Sequence, residues 1–111
     1  MTRGKKLCLV VLASAFTLPA FADCSLPTAP AKVPDGSTAK EPEMVAAMQT
    51  LKQYDADVNT YVKCLEFEAK QNRLSRDEQA RKHNAAMDSL TQTAAKFNEQ
   101  VKVYKAREKK S

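Results

Sequence analysis

From Met44 onward the chain repeats one pattern of apolar and polar positions. Met44, Met48, Leu51, Val58, Val62, Leu65 and Ala69 follow in alternating steps of four and three, and Asp55 fills the place where one apolar residue is missing. This seven-residue repeat belongs to a helix that packs along another helix. Tyr54 and Tyr61 lie one residue off the row and widen it. Ala80, His83, Met87, Leu90, Ala94, Phe97, Val101 and Tyr104 form a second row with the same spacing. Beyond Pro42 neither glycine nor proline interrupts the chain.

Local signals set the boundaries. Thr38 and Glu41 fit a capping box, and Pro42 is tolerated only in a first turn, so the first helix is predicted over 38–72 with Asn72 closing it. Ser75 and Glu78 form a second box, and Asp77 and Glu78 suit the positive end of a helix dipole, which predicts a second helix over 75–108. Rods of this size are about 45–50 Å long. Similar lengths and a short connection predict an all-α fold. Its core is an antiparallel two-helix hairpin, coiled-coil-like, over 38–108, and 109–111 form a frayed tail.

Residues 23–37 read differently. Pro27, Pro30 and Pro34 favour an extended, polyproline-like arm. Pro34-Asp35-Gly36-Ser37 is a turn sequence in which glycine is expected to supply a positive φ. Residues 1–22 have the three parts of a secretory signal peptide: Arg3, Lys5 and Lys6, then an uncharged apolar run from Leu7 to Leu18, then Ala20-Phe21-Ala22. Cleavage is expected between Ala22 and Asp23. The run is too short for a membrane-spanning helix, which needs about 20 residues, so no transmembrane segment is expected after processing. Asp23 directly before Cys24 fits a lipid-modified cysteine badly.

Removing the signal changes the charge. It holds three of the 18 basic residues and none of the 13 acidic ones, so the processed chain carries +2 rather than +5. That weakens a nucleic-acid reading, and no nucleic-acid partner is expected. Cys8 leaves with the signal. Cys24 and Cys64 remain as an even pair in an oxidising location. An intramolecular disulfide between them competes with an intermolecular disulfide or a metal site. Two cysteines and one histidine without close spacing argue against zinc, and no metal or cofactor is expected. The intramolecular bond also fits the lengths. The first helix would run about 39 Å from its start to Cys64, and a polyproline-like arm from Cys24 to Thr38 would span about 43 Å. The arm would then turn at 34–37, run back along the hairpin and be pinned to the first helix by Cys24–Cys64. Leu26 and Val33 would cover part of the seam.

Candidate chemistry is sparse. His83 and Asp55 both interrupt apolar rows and suggest a buried polar pair that fixes helix register. Glu66 and Glu68 stand two positions apart on a helix and point in different directions, so they do not form a catalytic carboxylate pair. Met44, Met48 and Met87 fill core positions. The tail concentrates cations at Lys102, Lys105, Arg107, Lys109 and Lys110. These are candidates for contact with envelope polyanions, or for complementing the helix dipole. No glycine-rich loop or nucleophile–base pair is visible, so no catalytic residue is assigned.

Cys24, Pro27, Pro30, Pro34-Asp35-Gly36, Met44, Tyr61 and Cys64 together resemble a set of small exported, periplasmic proteins of Gram-negative bacteria that carry no assigned activity. The general shape is also similar to periplasmic helical-hairpin chaperones of the Spy and Skp kinds. Leu74-Ser75-Arg76-Asp77-Glu78-Gln79 resembles the Leu-Thr-x-x-Gln motif of the former. The expected function is that of a non-enzymatic exported protein of the cell envelope, periplasmic or secreted, which binds another protein or itself. The alternatives are a polyanion-binding module working through the tail and a chaperone-like hairpin.

Overall fold

Two helices and no strand form among residues 24–110, the part described by the computed structural model. The signal peptide and its Ala22–Asp23 cleavage point lie outside the described residues. Helix α1 runs Glu41–Lys70 and helix α2 runs Arg76–Lys109. Three contacts order them. Tyr54 meets Ser89, Met44 shares a cluster with Phe97, and Ala39 just before α1 meets Arg107. Earlier positions in α1 meet later positions in α2, so the helices lie antiparallel.

Helix α1 starts later than its sequence suggests. The Thr38 and Ala39 N–H groups donate to the Asp35 carbonyl at 3.1 and 2.8 Å, which uses Thr38 in the preceding turn. Lys40 takes the cap position instead, and its N–H donates to the Glu43 carboxylate at 2.7 Å. At the other end Asn72 adopts a left-handed conformation, φ 57°. Asn72 N–H then donates to the Ala69 carbonyl at 3.1 Å and Arg73 N–H to the Glu68 carbonyl at 3.0 Å, which satisfies the orphan carbonyls of the last turn. Ser75 caps α2 by accepting from the Glu78 N–H at 3.1 Å.

The core follows a heptad row, but not quite the predicted one. On α1 the inward positions are Met44, Ala47, Leu51, Tyr54, Val58, Tyr61 and Leu65; Val58 and Leu65 are almost fully covered. Met48 is 37% exposed and Asp55 is exposed, so Ala47 and Tyr54 occupy the places assigned to them. On α2, Ala86 and Phe97 are buried and Leu90, Thr93, Gln100, Tyr104 and Arg107 are half-buried, while Ala80 is exposed. The α1 row is turned by one residue at alternate positions, while on α2 the predicted Met87, Leu90, Ala94, Phe97, Val101 and Tyr104 are buried or half-buried and Thr93 and Gln100 widen the row toward one side. Two causes account for the turn. A tyrosine buries far more area than the aspartate beside it. Residues 24–40 also cover the side to which the row turns. Val33 packs on the Ala39–Met44–Phe97 cluster, while Cys24 and Ala29 pack on the cluster of Tyr54, Val58, Tyr61, Leu65 and Ala86. Burying Val58 and Leu65 contributes about 1.5–3 kcal/mol each.

Candidate interaction surfaces

The cysteines come together. Cys24 and Cys64 form a disulfide with their Cα atoms 5.7 Å apart. From there the leading segment lies in the crease between the helices. Pro30 and Val33 border a gap with Ala47 and Leu51 of α1 and with Thr93 and Phe97 of α2.

The polar positions on this side of α2 serve the leading segment's backbone. The Gly36 N–H donates to Gln100 Oε1 at 2.8 Å, and Arg107 Nη2 donates to the Ala39 carbonyl at 2.7 Å. Gly36 does not have the expected positive φ. Its requirement is space: a Cβ there would overlap the Gln100 carbonyl oxygen and stand 2.9 Å from Tyr104 N. The turn around it is held by Asp35, whose Oδ1 accepts from the Ser37 hydroxyl at 2.6 Å and the Ser37 N–H at 2.9 Å. Those two bonds hold the Asp35 carboxyl below its ordinary range.

The predicted Asp55–His83 pair does not form. Asp55 is exposed and accepts from Asn59 Nδ2 at 3.1 Å, while His83 Nδ1 lies 3.3 Å from Asn84 Oδ1. The polar contact across the helices is instead the Tyr54 hydroxyl with the Ser89 hydroxyl, 2.9 Å apart. A charged pair in the seam would have to shed water on both partners, whereas two hydroxyls satisfy each other at less desolvation cost.

The basic end is less free than its composition suggests. Helix α2 continues through Lys109, so the tail is helical there. Arg107 holds Ala39, lies 4.9 Å from the Tyr104 ring centroid and pairs with Glu108 at 3.3 Å. Lys102, Lys105, Lys109 and Lys110 are exposed. At the opposite end Arg73 grips Glu68 through two bonds, 2.7 and 2.9 Å, which lower the Glu68 carboxyl and raise the Arg73 guanidinium. Glu66 is exposed, apart from that pair.

Among the described residues, Leu26, Phe67, Val45 and Met48 are the large apolar side chains left exposed, and an open groove has an apolar floor. Leu26 and Phe67 are 64% and 55% exposed, respectively. The groove lies on the side of the helix pair away from the leading segment. It has a volume of ≈ 530 Å³ and is bordered by Leu51, Lys52, Asp55, Leu90, Thr91 and Ala94, among others. Among the described residues no three histidine, cysteine or acidic side chains gather as a metal site would need, and no helix is long and apolar enough to cross a membrane.

Sequence reading placed Gly36 in a turn but not against α2, took Arg107 for a tail cation, and missed Gln100 and the Tyr54–Ser89 contact. The lone glycine after residue 22 and the polar residues at heptad spacing were the available signals. Comparison of the chain with protein-family models, curated proteins and solved structures finds no match.

Proposed function

We propose that this chain is a non-enzymatic exported protein of the cell envelope whose two helices present a long binding face to protein. The architecture behind this reading is a coiled-coil-like hairpin, with its proline-rich arm pinned as a strap by Cys24–Cys64. The observation that carries it is the asymmetry of the helix pair. The strap covers one side, and the other side keeps an apolar floor at Leu51, Leu90 and Ala94, bordered by Lys52 and Asp55 on α1 and by Thr91 and Asn98 on α2. Such a surface suits helix-on-helix packing. The disulfide supports an oxidising location.

The test has two parts. Thiol alkylation of intact cells, followed by envelope fractionation, should recover the chain in the exported fraction with no free thiol. A photo-crosslinker placed at Ala95 should yield a discrete crosslinked protein species. Free thiols in a cytoplasmic fraction would overturn the location, and no crosslink would overturn the binding face.

A second reading has its own observation. Lys102, Lys105 and Lys109 recur at helical spacing on the exposed side of the last turns of α2. This cationic stripe suits anionic lipid heads or cell-wall polymers. Replacing these three lysines by glutamine, which spares Arg107, should abolish salt-sensitive binding to anionic vesicles. Unchanged binding would end that reading.

A further inference from the structure

We propose that the Cys24–Cys64 bond is a switch: a dithiol reduces it in the folded protein, and residues 24–32 then leave the crease while the two helices stay packed. The switch acts on the strapped side of the molecule and is independent of what the helix pair binds.

The bond is within reach of a reductant. Cys24 and Cys64 stand on the wall of an open groove of ≈ 410 Å³, together with Leu26, Pro27, Thr60 and Tyr61. Both cysteines are half-buried rather than enclosed, and Leu26 beside them is 64% exposed. A thiolate entering this groove attacks one sulfur of the bond. The other sulfur leaves with the electron pair as a thiolate and takes up a proton. The reductant's second thiol then attacks the mixed disulfide and frees the remaining cysteine. Two electrons and two protons pass to the cysteine pair, and the dithiol becomes a disulfide.

Little else holds what the bond holds. Among the described residues, none from Cys24 to Pro34 takes part in a hydrogen bond. Ser25, Leu26, Thr28, Ala31 and Lys32 are exposed, and the inward contacts of this stretch come from Ala29 and Pro30, which are small. Ordering a backbone costs conformational entropy at every residue. Once the covalent tie is gone, neither hydrogen bonds nor buried bulk offset that cost.

The release has a defined end. Val33 packs on Ala39, Met44 and Phe97, the buried Gly36 donates to Gln100, and Arg107 holds the Ala39 carbonyl. These contacts fasten the root of the strap without sulfur, so the hinge falls at Lys32–Val33. The helices keep contacts of their own, Tyr54 with Ser89 and Met44 with Phe97. Release therefore bares part of the cluster of Tyr54, Val58, Tyr61, Leu65 and Ala86, on which Cys24 and Ala29 pack, without melting the hairpin. Covered on one side when oxidised, the helix pair becomes open on both sides when reduced.

The test is nitrogen-15 NMR of the oxidised chain and of the same chain reduced with dithiothreitol. On reduction the backbone order parameters of Leu26, Thr28, Ala29, Ala31 and Lys32 should fall below about 0.6, while both helices hold near about 0.85. The Gly36 N–H should stay protected from hydrogen exchange. Cys24→Ser/Cys64→Ser should show the same pattern with no reductant present. Under native conditions the reduction rate should rise in proportion to dithiothreitol concentration, the mark of direct attack on a reachable bond. A strap that stays ordered after reduction makes the bond a plain staple and overturns the proposal. So does collapse of the helix signals, loss of Gly36 protection, or a reduction rate that levels off at a ceiling set by unfolding.

Discussion

Replacing Gly36 by alanine should destabilise the protein by about 2–4 kcal/mol, although the same change in an open turn would stabilise it. Gly36 has no positive φ, so alanine meets no backbone strain there, and by chain entropy alone the substitution would stabilise by about 0.4–1 kcal/mol. Space decides the sign. The new Cβ would overlap the Gln100 carbonyl and crowd Tyr104 N, both of them helix backbone atoms in the last third of α2 that cannot swing aside. The turn must retreat instead. It then loses the Gly36–Gln100 bond, worth about 0.5–1.5 kcal/mol, and strains the charge-assisted Arg107–Ala39 bond, worth about 1.5–3 kcal/mol. It also loosens Ala39, now only 5% exposed. For a domain of this size each kcal/mol moves Tm by about 4–8 °C, so the melting point should fall by roughly 10–25 °C. Circular dichroism melts of the oxidised chain would measure it, with Gln100→Ala as the control that removes the side-chain bond without adding bulk. A neutral or stabilised Gly36→Ala would refute the close approach of the turn to α2.

Further outcomes follow from the same contacts. Tyr54→Phe and Ser89→Ala should each cost about 0.5–1.5 kcal/mol in denaturant unfolding, and the double variant should cost less than their sum because both remove one interaction. Leu65→Ala should cost about 2–5 kcal/mol by leaving a cavity at a position only 2% exposed. Replacing both Cys24 and Cys64 by serine should cost about 4 kcal/mol for a bridge spanning 40 residues, read as a lower denaturation midpoint. The Glu68 carboxyl lies below its ordinary 4.5 when folded, so its contribution is complete above that pH and is lost as pH falls through the lower folded value. Glu68→Gln should therefore flatten the acid limb of the stability–pH profile, and an unchanged profile would remove the Arg73 pairing.

The sequence made the helices and the cysteine partnership legible because those rest on local signals and on chain length. Ser75 and Asn72 act within one turn of themselves, and heptad spacing shows through whatever the partner is. What could not be read was which side of each row faces inward. Tyr54 and Asp55 are neighbours, and the cover supplied by residues 24–40 adds to the tyrosine's larger area in deciding between them. Gln100 drew no notice and Arg107 read as one more tail cation because their partners are backbone groups of Gly36 and Ala39, more than 60 positions away. Backbone groups leave no trace in composition. The Asp55–His83 expectation failed on register and facing: Tyr54 stands opposite Ser89, which leaves Asp55 roughly 7–8 Å along the axis from the level of His83, and Asp55 is exposed.

The sulfur bridge also has a bearing on the order of events during synthesis. A polypeptide leaves the ribosome, or any translocation channel, amino end first. Both cysteines precede α2, so the bond can close while the whole of that helix is still to come. What forms first is then a covalent ring made of residues 24–40 and the part of α1 up to Cys64. The last helix arrives as a docking ligand for a cradle already tied shut, and an oxidant acting early would do more for the yield of native protein than one acting after release.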